Sequence, residues 1–112
     1  MTPITPFYLE VVSMEAVRAY ELQLELQQIR TLRQSLELKM KELEYAEGII
    51  TSLKSERRIY RAFSDLLVEI TRDEAIEHIE RSRLVYKREI EKLKKREKEI
   101  MEELSKLKAP LS

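Results

Sequence analysis

The residues able to do covalent chemistry are few and poorly placed for it. His78 is the single histidine and cysteine is absent. A metal centre needs several converging imidazole, thiolate or carboxylate ligands, so no metal site is expected. His78 falls one position before Ile79 and two after Ile76, and reads as a solvated helix residue. Carboxylates are abundant, and Glu99 stands at helical spacing from Glu102 and Glu103. General acid–base catalysis requires a sheltered pair with separated pKa values. Glu and Lys residues four apart on a helix describe a solvated face instead. Serines and threonines have no base beside them, and one glycine, Gly48, cannot build a phosphate-cradling loop. These observations point away from catalysis and imply no catalytic residue and no cofactor.

Charge is informative in a different way. Lys, Arg, Asp and Glu make up 38% of the 112 residues, yet the formal net charge is zero. The stretch Arg81 to Lys98 is densest at Lys94-Lys95-Arg96, but Glu89, Glu91 and Glu97 interrupt it and no aromatic interleaves the dense part. Affinity for nucleic acid rests on accumulated positive charge, so no nucleic-acid partner is expected. Residues 65 to 80 are acidic, with Asp65, Glu69, Asp73, Glu74, Glu77 and Glu80 against Arg72 alone. No apolar run approaches the roughly 20 residues of a membrane span. The N-terminus lacks the basic start of a signal peptide. Absence of cysteine fits a reducing cytoplasm.

Apolar chemistry is the remaining resource, and it follows a period. Leu22, Ile29, Leu36, Leu43 and Ile50 recur every seven residues, as do Ile79, Tyr86, Leu93, Ile100 and Leu107. The spacing predicts a first helix over 13–54 and a second over 72–108, each roughly 50–60 Å long at about 1.5 Å per residue. Two such helices joined by a short connector fold back antiparallel along their seams. In the first helix Leu32, Ala46 and Leu53 alternate with the main track, and Leu26 and Met40 stand beside Glu25 and Lys39, a stripe that drifts. Val17, Leu24, Leu38 and Tyr45 form a second stripe well round that helix. The second seam track of the later helix is Ile76, Arg83, Ile90, Glu97 and Leu104. Its two charged members are expected at the seam edge, with stems buried and heads in water.

Boundaries follow from local chemistry. Pro3 and Pro6 argue against a helix through residues 1–12, and Ser13 could cap the first helix. Thr71-Arg72-Asp73-Glu74 reads as a capping box, with Ile70 and Ala75 at the staple positions. Between the helices, residues 58–70 break the helical period and favour strands. A three-residue turn at Phe63 to Asp65 puts Tyr60, Ala62, Leu66, Val68 and Ile70 on one face, leaving Arg61, Leu67 and Glu69 on the other. Short isolated hairpins are marginal in water and expose unpaired backbone groups, so this face is expected to assemble with other chains. The fold class is mainly α with a small β-hairpin, in a single domain over 1–112. The apolar residues Phe7, Tyr8, Leu9, Val12, Met14, Leu107 and Leu111 gather at the open end of the helix pair, where an exposed apolar patch would bind partners.

The segment Ile59-Tyr60-Arg61-Ala62-Phe63-Ser64-Asp65-Leu66-Leu67-Val68-Glu69-Ile70, set between two heptad helices, resembles the hairpin of the beta class of prefoldin subunits. The resemblance covers about residues 15–108. It differs at Ser64-Asp65, where the family often has glycine, and in an apolar rather than Gln-rich N-terminus. The resemblance implies a hexamer of two alpha-type and four beta-type subunits, with hairpins forming a β-barrel platform and coiled coils hanging from it. It implies ATP-independent holding of unfolded protein clients at the coiled-coil tips and their delivery to a group II chaperonin in the cytoplasm. A homo-oligomer is the other assembly compatible with the chain. A coiled-coil adaptor that scaffolds one specific complex is the other function.

Overall fold

The computed structural model describes the backbone of residues 6–54 and 56–107 and the side chains of residues 14–54 and 56–107. The elements run α1 (Pro6–Ser52), β1 (Ile59–Phe63), β2 (Leu66–Ile70) and α2 (Arg72–Lys106).

Helix α1 begins at Pro6, before the expected start at Ser13. Proline breaks a helix from inside, but at the first helical position its missing N–H removes only a donor that lacks an intrahelical partner anyway. Residues 6–12 are therefore continuous with α1 instead of forming a separate tail. At the other end, Thr51 Oγ1 and Ser52 Oγ each donate back to a carbonyl of the preceding turn, from Glu47 and Ile49, both at 2.9 Å. The Arg72 guanidinium donates to the Leu53 carbonyl and so satisfies an oxygen just past the helix end. Helix α2 starts as its sequence announces. The Glu74 N–H donates to Thr71 Oγ1 at 3.1 Å, and the Thr71 N–H donates to Glu74 Oε1 at 3.3 Å.

The chain divides into two compact units, Met1–Arg33 with Lys92–Ser112, and Gln34–Glu91. In the first, Leu22 and Ile100 are fully buried, with Ala19, Leu26 and Ile29 beside them. Leu93, Leu104 and Leu107 pack against this cluster. Burying a side chain the size of Leu22 contributes about 1.5–3 kcal/mol. In the second unit Ala75, Ile79 and Ile90 are buried, and Leu36, Met40, Leu43 and Ile50 are half-buried.

Burial along α1 keeps a regular three-four alternation through Ala19, Leu22, Leu26, Ile29, Arg33, Leu36, Met40, Leu43, Glu47 and Ile50. The alternation is that of a heptad seam, and Ala46 and Leu53 of the expected second track are half-buried beside it. Leu32, expected in the seam, is 51% exposed, and Arg33 takes the position. Apolar character suggested the leucine, but register decided for the arginine.

The strands pair antiparallel with Ile59 opposite Ile70, Tyr60 opposite Glu69, Arg61 opposite Val68, Ala62 opposite Leu67 and Phe63 opposite Leu66. The loop is therefore the two residues Ser64 and Asp65, not three. Ser64 has φ of 50° and is the one non-glycine residue with positive φ among the described residues. Positive φ at the first loop residue suits the tight hairpin turns whose twist matches that of the strands.

Candidate assembly and client-binding surfaces

Directly paired residues of an antiparallel ladder share a face, and a one-residue change of loop exchanges faces on one strand. The expected assembly face is accordingly split. Tyr60 and Ala62 lie with Leu67 and Glu69, whereas Leu66, Val68 and Ile70 lie with Ile59, Arg61 and Phe63. The second face carries the half-buried residues Ile59, Arg61 and Ile70. The Arg61 guanidinium stands 4.4 Å from the centre of the Phe63 ring. The first face is open throughout: Tyr60 is 50% and Leu67 72% exposed. Leu66, Val68 and Phe63 are also exposed. Both faces therefore present large apolar side chains, and Leu67 and Phe63, absent from the expected set, are among them.

His78 is half-buried rather than solvated. Burial holds its imidazole pKa below the ordinary 6.5, and the charges of Arg61 and Arg81 lower it further. The sequence placed it correctly beside the seam but not against the Arg61 charge, because strand contacts are nonlocal.

In the first unit, Met14 is 70% exposed. It heads an apolar stripe of Val17, Tyr20 and Leu24, all exposed. Helical geometry puts this stripe opposite the buried side of Ala19, Leu22, Leu26 and Ile29. Beside it, Tyr20, Gln23, Leu24, Leu26, Gln27 and Arg30 line an open groove of about 290 Å³. On α2, Met101 is exposed in a shallow depression of about 480 Å³ shared with Lys94, Lys98 and Ser105. Val17 and Leu24 were visible in the sequence as part of a second heptad track; Tyr20 was not, since it breaks the seven-residue spacing. Leu107, expected as a contact residue, packs onto the Leu22–Ile100 cluster. The side chains of Phe7, Tyr8, Leu9 and Val12, and Leu111 entirely, lie outside the described residues.

Ion pairs join the helices beside these surfaces. Arg96 makes two bonds to Glu25, at 2.8 and 2.9 Å, and Arg18 makes two to Glu103 Oε1, at 3.0 and 2.8 Å. The Arg96 hydrogen bond lowers the pKa of Glu25. Glu97 accepts from Arg30 Nε at 2.9 Å and from Arg33 Nε at 3.0 Å, one on each oxygen, and the Arg30 bond is the main cause of its lowered pKa. No cluster of metal-binding side chains occurs among the described residues. No helix among them is long and apolar enough to cross a membrane.

A two-helix seam closed by one strand pair is the architecture of a coiled-coil subunit, and the comparisons agree. The prefoldin subunit family model matches residues 14–112, so the chain belongs to the prefoldin subunit family. That is a family of non-enzymatic chaperone subunits. A crystal structure of the prefoldin beta2 subunit from Thermococcus strain KS-1 is 99% identical, with a TM-score of 0.75, covering 83% of this chain and 99% of that one. The prefoldin beta subunit from the same strain is 24% identical, with a TM-score of 0.76 over 98% of this chain and 100% of that one, and shows the shared fold. No curated protein matches.

Proposed function

We propose that the chain is a beta-type subunit of an ATP-independent holdase, which captures non-native proteins on the apolar stripe of its first unit. The observation carrying this reading is the exposure of Met14, Val17, Tyr20 and Leu24 on a helix whose opposite side is fully packed. Such residues add little to packing within the chain, and exposed apolar patches mark binding surfaces. Met and aromatic side chains accommodate varied apolar partners, and Phe7, Tyr8, Leu9, Val12 and Leu111 would extend the surface. Single contacts of this kind are weak, and several subunits around one client supply avidity.

Assembly uses the hairpin, whose exposed Tyr60, Ala62, Leu66 and Val68, together with half-buried Ile70, would pair with alpha-type and other beta-type subunits, by edge as well as by face. A group II chaperonin is the acceptor this reading implies, and a reducing cytoplasm suits a chain without cysteine.

Light scattering from an unfolding model protein tests the proposal, with the chain alone and with an alpha-type partner, beside the variant Val17→Ser/Tyr20→Ser/Leu24→Ser. Suppressed scattering that weakens in the variant supports client capture on this stripe. No suppression by folded, assembled material would leave the coiled-coil adaptor as the better reading.

A further inference from the structure

Between Ala19 and Ile50 the heptad seam of α1 is apolar except at Arg33 and Glu47, and between Ile76 and Leu104 that of α2 is apolar except at Arg83 and Glu97. Both exceptions lie two heptads apart on their helix, and on both the basic residue comes first. Running the helices antiparallel makes each charge meet its opposite. In the first unit Arg33 Nε donates to Glu97 at 3.0 Å; in the second the Arg83 guanidinium donates to Glu47.

We propose that these two charged layers are a register device, which selects one alignment of α1 against α2 and disfavours the others. A slip of one heptad sets Arg33 against Ile90 or Leu104, and Glu97 against Leu26 or Met40. A slip of two heptads sets Arg33 against Arg83 in one direction, or Glu47 against Glu97 in the other. Parallel pairing in the aligned register makes both layers repulsive. The apolar seam positions discriminate far less, because Leu, Ile and Met exchange with little penalty.

Breaking either pair is costly, but the pairs are a weak source of net stability when set against apolar residues at the same positions. Arg33 and Glu97 are 20% and 15% exposed at the side chain, so desolvation works against their attraction, and Arg83 and Glu47, 34% and 35% exposed, are screened by solvent. Among the described residues, Arg83 Nε is a buried polar atom with no hydrogen-bond partner. Replacing such pairs by apolar residues is often neutral or stabilising, whereas a polar seam residue that specifies alignment is a known use of the same chemistry.

The absence of cysteine lets two introduced cysteines carry unique spin labels. Gln27→Cys and Lys98→Cys place one exposed label on each helix of the first unit. The full chain, diluted with unlabelled protein, is expected to give one label–label distance. Substituting Arg33, Glu47, Arg83 and Glu97 all to leucine is expected to raise the melting temperature and to add a second distance. That distance reflects an axial shift of roughly 10 Å, the rise of one heptad. The exchanged pair Glu47→Arg/Arg83→Glu is expected to keep the single native distance. One unchanged distance in the four-leucine variant, or loss of the native distance in the exchanged pair, would overturn the proposal.

Discussion

Ser64 holds a backbone conformation that glycine reaches without steric penalty, since an L-residue at positive φ crowds its own Cβ. Ser64→Gly is expected to raise stability by about 0.5 kcal/mol, measured as a higher denaturant midpoint with unchanged m-value. Glu97 carries an acid dependence. Its folded pKa lies below the unfolded one, so its contribution is complete above the ordinary carboxylate value of 4.5 and fades as pH falls through the folded value. Glu97→Gln should therefore flatten the acid limb of a stability-against-pH curve, and at pH 7 should lower stability by roughly 2 kcal/mol. His78 acts in a higher window. Its folded pKa is lowered, so protonation favours the unfolded chain and stability declines as pH drops below 6.5. That decline should vanish in His78→Gln.

At the scale of elements, Gly48 sits exposed inside α1 with open space where a Cβ would stand. Gly48→Ala is expected to stabilise the chain by about 1 kcal/mol in thermal or chemical unfolding. Leu22→Ala, at a fully buried position, should cost about 2–5 kcal/mol. Both helices and the Thr71 capping box were legible in the sequence, because seven-residue spacing and a local four-residue motif each suffice to specify them. The start of α1 was not, because proline is compatible with the first turn as well as with a break. The hairpin loop was misjudged by one residue, and this slip alone divided the expected face. The seam position of Arg33 was hidden by Leu32, whose side chain is the better core former and stands one place too early.

At the scale of the molecule, the proposed function rests on the apolar surface left uncovered. The heptads announced the family's architecture, but which of the remaining apolar residues are open depends on packing that no local pattern encodes. Val68, 43% exposed on the ladder, offers a direct check of assembly. Val68→Asp should convert the oligomer to smaller species in sedimentation while leaving helix content by circular dichroism unchanged.

The Arg72 guanidinium bound to the Leu53 carbonyl closes the neck of the segment that contains both strands. The bond ties together two points 19 residues apart in sequence, so the ends of the intervening segment are held to each other while both strands stand open to a partner.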